Sequence, residues 1–319
     1  MSSRILVIGG TGMIGQHLVK ASLNAGHSTA VLVRAATVAA NPGKARVLEA
    51  FRSCGASLVY GDINDGEGLV AAIRQADVVI SAVGHTSPEE VESQLKILAA
   101  IQEAGNVKRF VPSEYGCDVE LAEHMLEPAR STLGAKVTVR KALKASGIPH
   151  TIIRSNICQE FFLPRAGNPE AAGPPDNVAT IFGDGTVQEF FVNVEDTSRL
   201  AIRAVEDPRT LNKILHVRPP TNLCSLNQLV SLWEKKIGKT LQKHYVAEQE
   251  LVNKVQGSSF PLNFQLAIVH ASFVVPGGAM RREKAAGGGV SPAGVDVEAT
   301  ELYPDIKYIT GEQFLDRLP

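Results

Sequence analysis

An α/β architecture, in which a doubly wound parallel sheet is followed by a second, smaller α/β domain, is predicted by three features of the 319-residue sequence. Short β-branched runs alternate with longer amphipathic stretches through the first half. Those runs are apolar throughout rather than alternating. After about Asn156 the rhythm changes to Pro/Gly-rich connections and shorter elements. Alternating strands and helices require crossover connections, which make neighbouring strands parallel, and helices on both faces bury each strand on both sides.

The strands read in order as Ile5–Ile8, Thr29–Val33, Ser57–Tyr60, Val78–Ser81, Arg109–Val111 and Thr151–Ile153. Between them, apolar residues recur at helical spacing over Gly12–Ala25, Gly43–Cys54, Gly66–Ala76, Pro88–Ala104 and Ala135–Ser146. The later half carries strands at Glu189–Val194 and Ile214–Val217 and helices at Ser225–Ile237 and Glu248–Val255. Pro164–Asp176 and the glycine-rich Pro276–Gly294 read as loops, the second as a flap or a disordered segment. The expected division is residues 1–156 for the first domain and 157–319 for the second, with some late segments returning to the first.

Composition excludes several classes of function. A net charge of −1 and 5% aromatic residues give neither the basic surface nor the stacking platforms of a nucleic-acid binder. Four cysteines without a C-x-x-C pair point to reduced thiols, and eight scattered histidines without metal-ligand spacing predict no metal site. No apolar run is long enough for a bilayer, and the N-terminus runs straight into a strand, so a soluble cytoplasmic protein is expected.

The chemistry begins at Gly9-Gly10-Thr11-Gly12-Met13-Ile14-Gly15, which follows a strand and opens a helix. Gly9, Gly12 and Gly15 permit the tight turn, the close approach of backbone to a pyrophosphate and the packing of helix on strand. The helix N-terminus adds free N–H groups. This context makes the sheet Rossmann-type and the ligand a dinucleotide. The second strand ends at Arg34, about twenty residues on, where an NAD site would place an acid for the ribose hydroxyls. A guanidinium there suits a 2′-phosphate, and Lys44 adds a second cation, so NADPH/NADP+ is the predicted cofactor. Asp62 stands equally as an adenine partner or as the cap of the helix starting near Asp65. Ala82 and Gly84, at the carboxyl end of the fourth strand, leave room for the nicotinamide half.

A short-chain dehydrogenase would use Tyr-x-x-x-Lys on a helix. The one match, Tyr303 to Lys307, contains Pro304 and is rejected. Lys136 is the better acid–base candidate: residues 136, 140 and 144 share a helical face, and burial near a positive charge would fit a lysine for proton transfer near neutral pH.

These stretches resemble, nearly end to end, the plant isoflavone reductase-like family. That group includes phenylcoumaran benzylic ether reductase, pinoresinol–lariciresinol reductase, isoflavone reductase, eugenol synthase and leucoanthocyanidin reductase. The matching segments are GGTGMIG, AGHSTAVLVR, EAGNVKRFVPSEYG, KVTVRKALKASGIPHT, FGDG, EDPRTLNK, SLNQLVSLWEKKIGKTL and ATELYPDIKY. The resemblance implies an atypical short-chain dehydrogenase with an NADPH domain, a substrate domain and a catalytic lysine, here Lys136, in its K-x-x-I-R-R segment. It implies Met13, Ile14, Ser113, Glu114 and Asn156 beside the cofactor, and a small phenolic substrate as partner, with no nucleic acid and no membrane; a homodimer is the expected assembly. Tyr115, Cys117, Cys158, Glu160 and Phe161 fall where substrate contacts are expected.

The implied reaction is NADPH-dependent reduction of a phenolic phenylpropanoid, of the benzylic ether type through a quinone methide. Lignan reduction, isoflavone-type reduction, allylphenol synthesis and a non-catalytic NADP(H) sensor are the alternatives. Two departures bear on substrate. Cys158-Gln159-Glu160 stands where benzylic ether reductases read F-A-G, which puts a carboxylate near the expected substrate wall. Cys117 replaces a histidine of the leucoanthocyanidin branch.

Overall fold

Val7 at the middle of the first strand lies opposite Val31 on one side and Ile80 on the other, and all three are fully buried. These contacts come from a computed structural model, which describes residues 2–275 and 296–319. Strands β1 (Arg4–Ile8), β2 (Ser28–Val33), β3 (Ser57–Tyr60), β4 (Val78–Ser81) and β5 (Arg109–Val111) form one parallel sheet in the order β3-β2-β1-β4-β5. The connection reverses direction at β1, so a crevice opens between the carboxyl ends of β1 and β4, where such sheets bind ligands.

The crossovers carry α1 (Met13–Asn24), α2 (Ala35–Ala40), α3 (Pro42–Ser53), α4 (Gly66–Ile73), α5 (Pro88–Glu92) and α6 (Gln94–Ala104). Helix α1 buries Gly15, Leu18, Val19 and Ser22, the i, i+3, i+4, i+7 face of an amphipathic helix. Leu69, Ile73, Ile97, Ile101, Phe110 and Leu143 fill one side of this sheet. Burying each such side chain fully is worth about 1.5–3 kcal/mol against leaving it exposed.

The chain divides into two compact units. The first comprises Met1–Glu114, Ala135–Ile153 and Thr197–Leu215, and the second Tyr115–Gly134, Arg154–Asp196 and His216–Pro319. Residues 115–134 and 154–156 group with the second unit although they precede the expected cut after 156, while 197–215 group with the first as a late segment that returns to it.

The later elements are α7 (Ala129–Ser146), β6 (Thr151–Arg154), β7 (Ile157–Cys158), α8 (Gln159–Phe162), β8 (Val178–Phe182), β9 (Gln188–Val192), α9 (Val194–Val205), β10 (Lys213–His216), β11 (Leu223–Ser225), α10 (Leu226–Ile237), β12 (Gln242–Val246), α11 (Glu248–Gly257) and α12 (Leu262–Val269). In the second unit β7 pairs parallel with β9, β9 antiparallel with β11, and β8 parallel with β12. Its core is aromatic. Phe191 stacks on Phe273 with centroids 5.8 Å apart, and buried Trp233 donates its indole N–H to the Leu163 carbonyl at 2.7 Å. Helix α10 starts in a reciprocal cap between Ser225 and Gln228 and ends at Gly238, whose φ of 65° suits glycine.

Three sequence expectations change. Pro88–Ala104 is two helices, because the Ser93 hydroxyl donates to the Glu90 carbonyl at 2.6 Å and competes with helix continuation. Helix α7 begins six residues earlier than Ala135, at Ala129, where the Glu127 carboxylate accepts the Ser131 N–H. Strand β12 was missed because its residues Gln242–Tyr245 are exposed and carry no apolar pattern. The predicted flap Pro276–Gly294 lies outside the described residues. Among the described residues no helix is long and apolar enough to cross a membrane.

Candidate functional site

The glycine turn is built by contacts that leave no room for side chains. A Cβ on Gly9 would stand 2.3 Å from the Ala82 carbonyl oxygen, and one on Gly15 would stand 2.2 Å from the Gly9 oxygen. Gly9 also takes a φ of 84°, in the left-handed region. Gly12 is the N-cap of α1 and offers no side-chain cap, and no acid lies in the first turn. The first amides of this helix are thus left without the side-chain partner that Asn41 gives α3 and Asp65 gives α4. An uncapped helix N-terminus beside a backbone-lined turn, at the β1/β4 crevice, fits a pyrophosphate. Gln16 ties the turn by donating to the Thr11 carbonyl at 3.2 Å. Met13 is exposed at 44%, Thr11 and Ile14 are half-buried, and Gly15 is buried.

Arg34 follows β2 as an exposed residue at the N-cap of α2, and Lys44 sits half-buried in the first turn of α3. Arg34 therefore stands directly at the carboxyl end of β2, the position that suits a 2′-phosphate, and Lys44 opens the second helix after it. Asp62 does not cap the following helix. Asp65 does so, accepting from Gly68 N, while Asp62 accepts from the Asn64 backbone N–H at 2.8 Å and its side-chain amide at 3.0 Å. The capping alternative for Asp62 is thereby corrected.

The ends of β4 and β5 are tied together. Ser113 donates its hydroxyl to the Val83 carbonyl at 2.8 Å, and its own N–H goes to the Gln94 side chain at 2.8 Å. Glu114, next along, receives the Arg140 guanidinium on both carboxylate oxygens, with the Nε contact at 3.1 Å. The partners are 4% exposed each, so this is a fully desolvated ion pair. Arg140 lies one helical turn beyond Lys136, which is itself buried at 6% exposure. The pair thus fixes the turn of α7 that carries Lys136 to the segment following β5. On the same helix Ala135 and Val139 pack with Val91 of α5 in a small apolar cluster. Lys144, expected on the same face, is exposed.

That packing brings in a residue that was not singled out in the sequence. The loop after β4 runs Gly84-His85-Thr86, and Glu90 of α5 holds it by accepting the Thr86 N–H at 2.8 Å and hydroxyl at 2.6 Å. His85 is exposed on this loop, yet protein crowds its ring: desolvation first, and the charge of Lys136 second, push the imidazole down to about 4, against a smaller pull from Glu90. The signal available in the sequence was its position, immediately beyond the small residues at the carboxyl end of a central strand.

The remaining expected residues belong to the second unit. Asn156 has a φ of 57° and donates its side-chain amide to the Val217 carbonyl at 3.0 Å, while its backbone N–H meets Gly116 O at 2.9 Å. Its expected cofactor role thus shares the residue with a structural one. Tyr115 has a phenol oxygen that is buried without a hydrogen-bond partner, and desolvation drives its ionisation up. Cys117 and Phe161 both pack against the aromatic core, and Arg165 lies over the Phe161 ring at 5.9 Å.

Glu160, which the sequence places near a substrate wall, is half-buried and hydrogen-bonded within the second unit. Its two oxygens accept the Val194 N–H at 3.1 and 3.2 Å, at the first turn of α9, and one receives the Cys158 thiol at 3.2 Å. Burial is the main reason that both the Glu160 carboxyl and the Cys158 thiol are raised. Gln159, between them, is fully buried and donates to the Phe191 and Ile309 carbonyls. Among the described residues no three or more His, Cys, Asp or Glu side chains gather as a metal site would need.

The NmrA-like family profile matches residues 1–315 of the chain. A phenylcoumaran benzylic ether reductase of Pyrus communis is 48% identical over 315 residues, which is 99% of this chain and 98% of that protein. Eugenol synthase 1 of Petunia hybrida is 46% identical over 313 residues, covering 98% and 97% of the two chains. Among solved structures, AtPrR2 with NADP+ and (+)pinoresinol superposes with a TM-score of 0.87 at 35% identity, over 99% of this chain and 98% of that one. The chain belongs to the NmrA-like family, in the group that holds the isoflavone reductase homologues, phenylcoumaran benzylic ether reductases and eugenol synthases.

Proposed function

We propose that the protein is an NADPH-dependent reductase of phenolic phenylpropanoids, working on a benzylic ether of the phenylcoumaran type. The observation that carries this reading is Lys136. It is a buried lysine, locked by the Arg140–Glu114 pair to the segment after β5, in the unit whose glycine turn and uncapped helix α1 fit a dinucleotide. Gly9, Gly12 and Gly15 with the first amides of α1 would hold the pyrophosphate, and Arg34 with Lys44 the 2′-phosphate. The bound cofactor supplies the hydride.

Lys136 as the neutral amine takes the para-phenol proton of the substrate, which drives expulsion of the benzylic ether oxygen and leaves a quinone methide. Reduction at the benzylic carbon restores the phenolate, Lys136 returns the proton to it, and the expelled ether oxygen, now a phenoxide on the same molecule, takes one proton from water, the proton that the net reaction consumes. The desolvated ion pair one turn away holds the amine in place, so orientation is settled before substrate arrives. A cytoplasmic location accompanies this reading.

The substrate relatives of this group divide into a small number of reaction types, which one experiment ranks. Purified protein with NADPH is incubated separately with a phenylcoumaran dilignol, pinoresinol, an isoflavone and a coniferyl ester, and products are resolved by mass. The expected outcome is the highest kcat/KM on the phenylcoumaran. Faster turnover of any other class would replace the benzylic ether assignment, and dinucleotide binding without oxidation in any arm would point to a sensor.

A further inference from the structure

Gly9 packs directly on the chain leaving β4: a Cβ there would stand 2.3 Å from the Ala82 carbonyl oxygen and 3.1 Å from the Val83 nitrogen. Beyond that contact the chain continues as Gly84-His85-Thr86, three exposed residues. An exposed stretch that contains a glycine holds one shape only if its two ends are fixed. At one end the Ser113 hydroxyl donates to the Val83 carbonyl at 2.8 Å. At the other, one carboxylate oxygen of Glu90 accepts both the Thr86 N–H, at 2.8 Å, and the Thr86 hydroxyl, at 2.6 Å.

The clamp is itself well seated. Ser87, the cap of α5, accepts the Glu90 N–H, and the next residue, Val91, is fully buried against Ala135 and Val139 of α7. The loop wraps the carboxylate so closely that a Cβ on Gly84 would stand 2.7 and 2.8 Å from its two oxygens. Among the described residues no protein group accepts the N–H of Val83 or Gly84, which leaves both donors for a ligand or for water.

The strand order decides which part of a dinucleotide meets this loop. Strands β2 and β4 flank β1 on opposite sides. A cofactor with its 2′-phosphate at Arg34, after β2, and its pyrophosphate on the turn after β1 extends its other half over the end of β4. We propose that Glu90 is a positioning residue for the nicotinamide half of the cofactor, holding the loop after β4 in the shape that receives it. The adenosine half binds without its help. The proposal rests on the dinucleotide part of the reductase reading and not on which phenol is reduced. Glu90 acts through Thr86, by ordering the loop before the ligand arrives; without the clamp, binding has to supply that order itself.

The test measures binding to the full chain by calorimetry, for NADP+ and for adenosine 2′,5′-bisphosphate, which keeps the 2′-phosphate but lacks the nicotinamide half. Glu90→Ala should weaken NADP+ about tenfold, the size of a lost hydrogen bond to a charged group, with the fragment within about twofold of wild type. Glu90→Gln keeps an acceptor oxygen for Thr86 and should recover most of the loss. Thr86→Val removes only the hydroxyl bond, so it should show a smaller loss with the same selectivity, and no further loss when combined with Glu90→Ala. Thr86→Val also carries the test if Glu90→Ala does not fold. Wild-type affinity for NADP+ in both single variants, equal losses for NADP+ and the fragment, or additive losses in the double variant would overturn the positioning role while leaving the reductase reading standing. No binding of NADP+ by the wild type would overturn both.

Discussion

Removing the Arg140 guanidinium gives the most demanding test of how Lys136 is held. In Arg140→Met the aliphatic bulk remains, but Glu114 is left as a carboxylate at 4% exposure without its partner. The hydrogen bonds of the guanidinium Nε and Nη2 to the carboxylate are lost, and at 4% exposure little water reaches Glu114 to replace them. Breaking a buried pair from one side costs about 3–5 kcal/mol, because the stranded charge keeps its desolvation penalty. Glu114→Gln on the same background removes the stranded charge and should recover a large part of the loss, so the double variant is more stable than the Arg140→Met single. Urea unfolding of the four proteins at neutral pH, with shared slopes, reads these differences as midpoints. In the same proteins kcat should fall with Arg140→Met more than NADPH binding does, since the pair orients α7 rather than the glycine turn. A single-variant loss below about 1 kcal/mol, the level of an exposed pair, would refute the argument that this ion pair is desolvated and holds the helix.

Two further outcomes follow from the site. Arg34→Ala should weaken NADPH binding about 10- to 100-fold, the size of a lost charge-assisted bond to the 2′-phosphate, while NADH binding measured by fluorescence stays unchanged; equal losses for both cofactors would remove Arg34 from that role. Glu160→Gln keeps an oxygen for the Val194 N–H but cannot ionise. Because the folded state raises the Glu160 carboxyl above its ordinary 4.5, folding favours the protonated form there. Stability tied to that group is therefore fully present below 4.5 and lost as pH rises through the raised folded value. The wild type should lose stability relative to Glu160→Gln over that interval, and parallel stability curves for the two proteins would contradict the assigned burial.

The parts of the fold written in local sequence were legible, and the parts set by distant partners were not. The Gly9–Gly15 turn needs only its own residues, the preceding strand and the following helix, so its register was readable directly. The central strands were equally plain, because burial on both faces makes them continuously apolar. By contrast, Glu160 meets the N–H of Val194, thirty-four positions away, and Gln159 reaches Ile309, 150 positions away. No spacing rule reveals such pairings, so nothing in the Cys158-Gln159-Glu160 segment itself announces that Gln159 and Glu160 meet backbone partners far along the chain. His85 was overlooked for a related reason. One histidine on a loop carries no pattern, and the charge of Lys136 reaches it only in the folded chain. Arg140 was visible as a residue on the Lys136 face, but its partner Glu114 could be named only from the folded chain.

The central claim is that Lys136 carries the proton chemistry of an NADPH-dependent reduction. Its most direct test is single-turnover hydride transfer, followed at the NADPH absorbance, for wild type and Lys136→Ala with the preferred phenolic substrate. The account predicts a rate lower by about 10²- to 10⁴-fold, the usual contribution of a positioned acid–base group, with the NADPH dissociation constant within about twofold of wild type. Hydride transfer at the wild-type rate in Lys136→Ala would contradict it.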